Sequence, residues 1–238
     1  MEERQFCGLV KFFKNEEFLD QLLDGSFYCN PPEFYRQHDA AGISDHHESC
    51  THAYRQERGD RKATLRIDGK PVDGLRNLTL RSTGINDRWL HCWTCLWAPG
   101  DEDALAALAN DLTRLRNEFG IHYAFIHPEQ VQPFIEHLRT LIPQEVRAAE
   151  VQYSDDSLKW SPMCKSEKYR YQREFRFMVG NIPDLSRDPL IIGSEAGFRE
   201  FIGKNTTISI SFNEEKGSHF LMSGPQELVH IKRIEPIP

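Results

Sequence analysis

The stretch KYRYQREFRF at residues 168–177 combines aromatic and charged side chains at the start of a predicted β-strand. Side chains along a strand alternate between its two faces. From Glu174 onward, one face therefore carries Glu174 and Arg176, while the other carries Phe175 and Phe177. We expect the aromatic face to join the core of a sheet. The charged face either meets solvent or lines a functional site.

The composition is that of an ordinary globular protein, with 39% of its 238 residues hydrophobic and 27% charged. This length is sufficient for a sizeable core. The net charge of −7 disfavours broad, nonspecific attraction to nucleic acid, although 29 Lys and Arg residues are enough for a local basic patch.

The N-terminal sequence MEERQFCGLVKFF lacks a signal-peptide pattern. No segment approaches the roughly 18 uninterrupted apolar residues of a membrane-spanning helix. We therefore expect a cytoplasmic protein without a membrane partner. The six cysteines show no small-domain disulfide pattern, so they are predicted to be free thiols in a reducing compartment.

The order of predicted elements indicates a single α+β domain over residues 1–238, because no repeat or low-complexity linker divides the chain. A helix is predicted to begin at Asp101 and to run to Phe119, because Leu105, Leu108, Leu112 and Leu115 fall on one side and Gly120 closes it. A second helix is predicted over PEQVQPFIEHLRTLI. We interpret residues 101–142 as a helical insertion in a fold of many short strands.

Strands are predicted on both sides of this segment, and the polar residues 33–60 are predicted to be irregular and either mobile or functional. The main predicted strands lie at QFCGLVKFF, SFYCN, RWLHCWTCLW, IHYAFIH, EFRFMV, TTISISF and ELVHIKRIEPI.

Two groups of residues have metal-ligand character. Cys92 and Cys95 have a Cys-x-x-Cys spacing, but residues three apart on a strand point to opposite faces, which favours a structural strand. His46 and Cys50 would share one face of a helix, and they lie in a segment that also contains His52. A solvated polar loop explains that segment as well, and no metal is predicted for the chain.

The chemistry of a Gln-x-Glu pair suits the cleavage of a bond to a ribose. Cleaving a nicotinamide–ribose bond passes through an oxocarbenium-like state, which a fixed carboxylate such as Glu174 stabilises. Gln172 lies two residues before this acid. Nearby aromatic rings suit a nicotinamide, and arginines suit a pyrophosphate. A charged, exposed strand would produce the same spacing. Phosphate-binding glycine loops and Gly-x-Ser-x-Gly elbows are absent from the sequence.

The sequence resembles a widespread group of uncharacterised bacterial and phage-associated proteins. These proteins share a Tyr/Phe-rich turn, a spaced Asp and Glu, a central strand, and a late Lys-x-Tyr-x-Tyr-Gln-x-Glu-Phe/Trp-Arg segment. The matching parts of this chain are residues 27–30, residues 34–36, Asp45, Glu48, residues 89–95 and residues 168–177.

Gln172 and Glu174 also resemble the Gln/Glu-x-Glu motif of ADP-ribosyltransferases. That resemblance implies a mixed, split β-sandwich around a cleft for NAD, which is the substrate. It makes Glu174 the catalytic acid and gives Gln172 a role in positioning the acceptor. Thr94 is the only residue of Trp93-Thr94-Cys95 in register with the superfamily's Ser-Thr-Ser strand. Lys11 lies near the position at which the superfamily has an Arg or His on its first strand.

The same resemblance implies roles for other residues around the NAD cleft. Tyr35 or Tyr171 would stack on the nicotinamide ring. Lys11, Arg36 or Arg176 would meet phosphate. Asp45 and Glu48 are not assigned to NAD itself. They would form a charge pair that orders the loop over the cleft.

The preferred hypothesis is an ADP-ribosyltransferase-like toxin or phage-defence effector that transfers ADP-ribose from NAD to a protein or nucleic-acid acceptor. A toxin of this kind implies a neutralising partner, or antitoxin. One alternative is a nucleotide- or nucleic-acid-binding module without turnover. Another is a metal-dependent nuclease that uses Asp45, His46, Glu48 and His52. A third is an interaction protein without a site.

Overall fold

The computed structural model describes residues 5–39, 42–183, 185–211, 218–225 and 230–233. The described part of the chain combines α-helices with short and long β-strands, which confirms the prediction of an α+β protein. The helices are α1 Glu16–Leu23, α2 Pro32–Gln37, α3 Glu102–Phe119 and α4 Pro128–Leu141. Two 3-10 helices cover Ser157–Lys159 and Glu167–Gln172.

The strands are β1 Phe6–Phe13, β2 Ser26–Cys29, β3 His52–Arg55, β4 Arg66–Ile67, β5 Lys70–Pro71, β6 Asn77–Leu80, β7 Trp89–Trp97, β8 His122–Ile126, β9 Val146–Glu150, β10 Gln152–Tyr153, β11 Cys164–Lys165, β12 Glu174–Val179, β13 Leu190–Gly193, β14 Ile202–Lys204, β15 Ile208–Ser211, β16 Ser218–Met222 and β17 His230–Arg233. The last two predicted strands, TTISISF and ELVHIKRIEPI, correspond to β15 and β17. Their remaining residues at 212, 227–229 and 234–237 lie outside the described ranges.

The main sheet has six strands in the order β14–β8–β1–β7–β12–β9, and every neighbouring pair is antiparallel. Its two long central strands, β1 and β7, have the sequences FCGLVKFF and WLHCWTCLW. These apolar and aromatic runs suit strands that are covered on both faces. Smaller sheets of two or three strands surround this layer: β2 with β13, β3 with β6, β4 with β5, β10 with β11, and β15 with β16 and β17.

The two central strands diverge halfway along their length. The ladder between β1 and β7 ends at the pair Val10–Thr94. Beyond that point β1 continues to pair with β8 as far as Phe13, whereas β7 pairs with β12 back to Trp89. A gap therefore opens within the main sheet. Asn30, which follows β2, pairs with Leu90 on the β7 side of this gap.

Helices cover both faces of the main sheet. One core cluster packs the sheet against α1 and α4, through residues such as Leu9, Leu19 and Phe134. The other cluster packs the opposite face against α3, through residues such as Val10 and Leu112. Because Leu9 and Val10 are neighbours on β1, they point to opposite faces and join different clusters.

The segment 101–142 contributes directly to this layered core. Its strand β8 lies between β14 and β1, and its two helices pack on opposite faces of the sheet. A peripheral helical insertion would leave the sheet complete without it. The structure instead makes α3, β8 and α4 integral parts of the fold. Among the described residues, no helix is long and apolar enough to span a membrane.

Candidate functional site

A cavity of about 620 Å³ lies where β1 and β7 diverge. Three neighbouring strands contribute to its wall: Lys11 from β1, Thr94 from β7 and Glu174 from β12. Leu22 of α1 and Leu115 of α3 also line it, so the cavity reaches both sides of the sheet through the gap. Its volume falls within the range of small-molecule binding sites, which is roughly 300–1,000 Å³.

The backbone around Glu174 is fixed by an unusual turn. Arg173 links the 3-10 helix to β12 in the left-handed conformation, at φ 46° and ψ 46°. Non-glycine residues rarely adopt this conformation, so the surroundings must hold it in place. The Cys95 N–H donates to the Arg173 carbonyl at 2.7 Å, and the Glu174 N–H donates to the Tyr153 hydroxyl at 2.8 Å. These bonds direct the Glu174 side chain to the cavity wall.

Two cations hold the Glu174 carboxylate. Lys165 Nζ lies 3.1 Å from Glu174 Oε2, and Arg176 Nε donates to Glu174 Oε1. Glu174 is only 5% exposed. Burial alone would raise the pKa of Glu174, but Arg176 and Lys165 outweigh it and keep that pKa well below its ordinary value. The two cations therefore favour the ionised form of Glu174 at the cavity wall.

Glu174 belongs to a buried charge cluster of three acids and two bases. Its members are Asp45, Glu48, Lys165, Glu174 and Arg176. Arg176 binds both carboxylate oxygens of Glu48, at 2.7 and 2.8 Å. Lys165 Nζ lies 3.5 Å from Glu48 and 3.8 Å from Asp45. Burial would lower the pKa of Lys165, but Glu174 and Glu48 raise it above its ordinary value.

Gln172 connects this cluster to the loop that precedes it in sequence. Its Oε1 accepts a hydrogen bond from Lys165 Nζ at 3.1 Å, and its Nε2 donates to the Gly42 carbonyl at 2.9 Å. Gln172 also lines the cavity next to Glu174. The structure thus brings together the two residues of the predicted Gln-x-Glu pair. Asp45 and Glu48 both join the same cluster and hold their loop against it through Lys165.

Lys11 spans the gap in the sheet. Its Nζ donates to the Cys92 carbonyl of β7 at 2.7 Å. Burial lowers the pKa of Lys11, while Cys92 and Glu174 act in the opposite direction. Tyr35 and Thr94 also line the cavity, as the sequence analysis expected. Burial raises the pKa of Tyr35 well above its ordinary value, so its hydroxyl stays protonated.

Three other residues that were expected to bind NAD do not line the cavity. Arg36 is fully buried and pairs with Asp87 at 2.8 and 3.0 Å, so its guanidinium is not available to a phosphate. Tyr171 donates to Glu118 at 2.8 Å on the surface of α3. Arg176 lies inside the buried charge cluster, where both Glu48 and Glu174 occupy it. Arg36 and Arg176 are thus structural cations in this chain.

The side chains of the two predicted metal-ligand groups do not come together around a common point. Within the described ranges, no group of three or more His, Cys, Asp or Glu side chains is placed to hold a metal ion. Glu48 is directed to Arg176, while His47 packs near His52 and Trp160. On β7, Cys92 lines the cavity and Cys95 joins the core on the other face. All six cysteines are free thiols, which confirms that prediction.

Four residues of the site were not predicted from the sequence. Lys165 and Tyr153 come from the short strands β11 and β10, whose positions relative to β12 have no local sequence signal. His91 and Trp93 alternate along β7 and line the cavity. Their two-residue spacing on a predicted strand was a usable signal, because it places both side chains on one face.

Comparison with known proteins found no match: no protein-family model, curated protein or solved structure is significantly similar to this chain. The geometry of the cavity and its residues is therefore the basis for a functional proposal.

Proposed function

We propose that the chain is an NAD-dependent ADP-ribosyltransferase-like enzyme, with Glu174 as its catalytic acid. The observation that carries this proposal is the Glu174 carboxylate, which lies between Lys165 and Arg176 at the wall of a cavity of about 620 Å³ beside the gap in the main sheet. The main sheet is one antiparallel layer with helices on both faces, which differs from the mixed, split β-sandwich that the resemblance implies. The support for the proposal comes instead from the gap between β1 and β7, at which the cavity opens. Lys11, Thr94 and Glu174, which the resemblance aligns with the superfamily's motif positions, line the same cavity on three adjacent strands.

The proposed reaction breaks the bond between ribose C1′ and the nicotinamide nitrogen. The bonding electrons leave with nicotinamide, and positive charge develops on the ribose. A fixed carboxylate lowers the energy of this charge without having to reorganise during the reaction. Glu174 supplies that carboxylate and can accept a hydrogen bond from a ribose hydroxyl. An acceptor nucleophile, or water, then bonds to C1′ and releases a proton.

The other cavity residues have roles that suit the same ligand. Lys11 provides a positive charge for the pyrophosphate. Among the described residues its ammonium group donates one hydrogen bond, to the Cys92 carbonyl, which leaves N–H groups for a ligand. Tyr35 lines the cavity, and we assign its ring to contact with the planar base. Gln172 holds the loop at Gly42 near the point where an acceptor would enter. The acceptor is a protein or a nucleic acid, and the resemblance points to a toxin or phage-defence effector with a neutralising partner.

One observation favours a second function, a nucleotide-binding module without turnover. Arg176 and Lys165 already occupy one oxygen each of Glu174. A carboxylate held between two cations could serve mainly to maintain the cavity wall. This alternative predicts that the chain binds NAD and leaves it intact.

The proposal is tested by incubating the purified chain with NAD labelled on the adenylate phosphate, together with protein, RNA or DNA acceptors. We expect label transfer or release of nicotinamide by the wild type. Glu174→Gln should reduce that rate by roughly a hundredfold or more, since it removes the charge that stabilises the ribosyl cation. Glu167→Gln is the matched control, because Glu167 pairs with Arg170 at the surface of the 3-10 helix.

Glu174→Asp provides a second variant in case the glutamine variant folds poorly. It keeps the charge for Lys165 and Arg176 but withdraws the carboxylate from the cavity by one methylene. Thermal unfolding should show a folded protein, and NAD cleavage should still fall. If the wild type binds NAD but neither transfers nor hydrolyses it with any acceptor, the binding module is the better description.

A further inference from the structure

Lys11 places an amine in the gap between the two halves of the main sheet. Its Nζ donates to the Cys92 carbonyl oxygen at 2.7 Å, where the backbone pairing of β1 with β7 has ended. Lys11 is partly exposed and lines the cavity. Because β8 covers the other edge of β1, the exposed part of Lys11 lies on the cavity side. The amine is therefore within reach of a molecule that enters the cavity.

The surroundings of this amine differ from those of Lys165. Lys165 lies among three carboxylates, which hold it as a cation. Lys11 contacts a neutral backbone carbonyl instead, and its Nζ lies 5.8 Å from the centre of the Phe13 ring. Burial lowers the pKa of Lys11, although Cys92 and Glu174 act in the opposite direction. The free amine, which is the nucleophilic form, is thus easier to reach at Lys11 than at an ordinary lysine.

Glu174 is the charged group that opposes this effect near neutral pH. The other titratable groups that act on the amine are Cys29 of β2 and Cys92 and His91 of β7. Burial raises the pKa of both thiols, so they stay neutral. Burial lowers the pKa of His91, which keeps its ring uncharged. The Glu174 carboxylate favours the ammonium form of Lys11, and its removal should favour the free amine.

We propose that Lys11 is a covalent site for an aromatic aldehyde. The lone pair of Nζ attacks the carbonyl carbon, a C–N bond forms, and the electron pair of the C=O bond moves to the oxygen. Both hydrogens of the amine then leave with that oxygen as water, so an amine and an aldehyde give an imine and water without an oxidant or reductant.

The cavity wall beside Lys11 suits an aromatic ring. Phe13 and Leu22 line the cavity and belong to the core cluster on the side of the sheet from which Lys11 projects. This site goes beyond the proposed function and does not depend on it. The pyrophosphate of NAD would meet the ammonium form of Lys11, whereas an aldehyde reacts with the free amine.

The test treats the purified chain with benzaldehyde and sodium cyanoborohydride, which reduces an imine to a stable secondary amine. Mass spectrometry of the peptides then gives the rate of labelling at each lysine. Lys14 is the internal reference, because it is exposed and lines the same cavity. We expect Lys11 to be labelled roughly tenfold or more faster than Lys14, since the cavity holds the aldehyde next to the amine. The rate at Lys11 should rise with pH around a midpoint below that of an ordinary lysine.

Three variants separate the parts of this inference. Lys11→Arg keeps a cation and a donor for the Cys92 carbonyl but cannot form the imine, so the fast labelling should disappear while thermal unfolding shows a folded protein. Lys14→Arg is the control and should leave the rate at Lys11 unchanged. Glu174→Gln should speed the labelling of Lys11 near neutral pH, because it removes the charge that favours the ammonium form. This change is opposite in sign to the loss of NAD cleavage expected for the same variant.

The outcomes distinguish this inference from the proposed function. Selective labelling of Lys11 that is lost in Lys11→Arg supports the covalent site, even if NAD is never cleaved. No adduct at Lys11, or labelling no faster than that of Lys14, overturns it. If NAD cleavage depends on Glu174 while Lys11 is not labelled selectively, the enzyme proposal stands and the aldehyde assignment is wrong.

Discussion

Lys165 is the residue that joins the parts of the buried charge cluster. It contacts Asp45, Glu48 and Glu174 and also donates to Gln172, yet it is only 7% exposed. Nothing in the pattern around Lys165 predicted this position, because its partners come from distant segments of the chain. By contrast, the alternation after Glu174 did predict which side chains of β12 face the core. A local period can be recognised in a sequence, whereas the meeting of three separate segments cannot.

Lys165→Met should destabilise the protein by about 3–5 kcal/mol, because it leaves buried carboxylates without one of their two cations. The free energy of unfolding, measured with urea, checks this expectation. Lys159→Met is the matched control, since Lys159 is exposed and lies 4.0 Å from Asp156. A surface pair of this kind contributes at most about 1 kcal/mol. Equal effects of the two substitutions would mean that the cluster is not important for stability.

Helix α3 is the element whose limits were best predicted from sequence. Its N-cap Asp101 accepts a hydrogen bond from the Ala104 N–H at 2.7 Å, and Gly120 follows its last residue with φ 114°. A Cβ atom at Gly120 would lie 2.1 Å from the Phe13 carbonyl oxygen, so the turn after α3 needs glycine both for its conformation and for space. The leucine spacing and the closing glycine are local signals, which explains why the limits of α3 could be predicted. The capping hydrogen bond of Asp101 is a finding of the structure. The placement of α3 against one face of the sheet depends on distant strands.

Asp101→Ala should destabilise the protein by about 1 kcal/mol, since it removes the acceptor for an unpaired N–H at the helix start. Asp103→Ala provides the comparison, because Asp103 is also an exposed acid of the first turn but does not cap the helix. We expect it to have an effect of a few tenths of a kcal/mol. Thermal unfolding of the three proteins resolves this difference. Similar midpoints for the two variants would contradict the capping role.

At the scale of the whole molecule, the segment 101–142 shows where sequence patterns were insufficient. Its helices and its strand were each predicted, but their periodicities do not specify which strands lie beside β8. The sheet order places β8 between β14 and β1, so one strand from the start of the described chain and one from its later part flank it. The hairpin of β4 and β5 is peripheral by comparison. Its strand residues are exposed, and the two strands pair only with each other.

Deleting residues 101–142 should therefore abolish cooperative unfolding, since it removes an interior strand and the helices that cover both faces. Replacing residues 62–75 with a short glycine-serine linker should leave a folded protein. Its melting temperature should shift by only about 2–4 °C, as expected for a change of about 1 kcal/mol in a domain of this size. Calorimetry of both variants checks the contrast. A cooperative transition in the 101–142 deletion would show that this segment is dispensable after all.

The divergence of β1 and β7 has a thermodynamic consequence for the molecule. Backbone pairing joins these strands over only part of their length, and the Lys11–Cys92 hydrogen bond is one of the links across the remainder. A molecule that fills the gap contacts both halves of the sheet. Its binding free energy then adds to the free energy that is needed to separate the two halves of the sheet. Folding and ligand occupancy are linked in this architecture, so the cellular lifetime of the chain would rise with the concentration of its ligand.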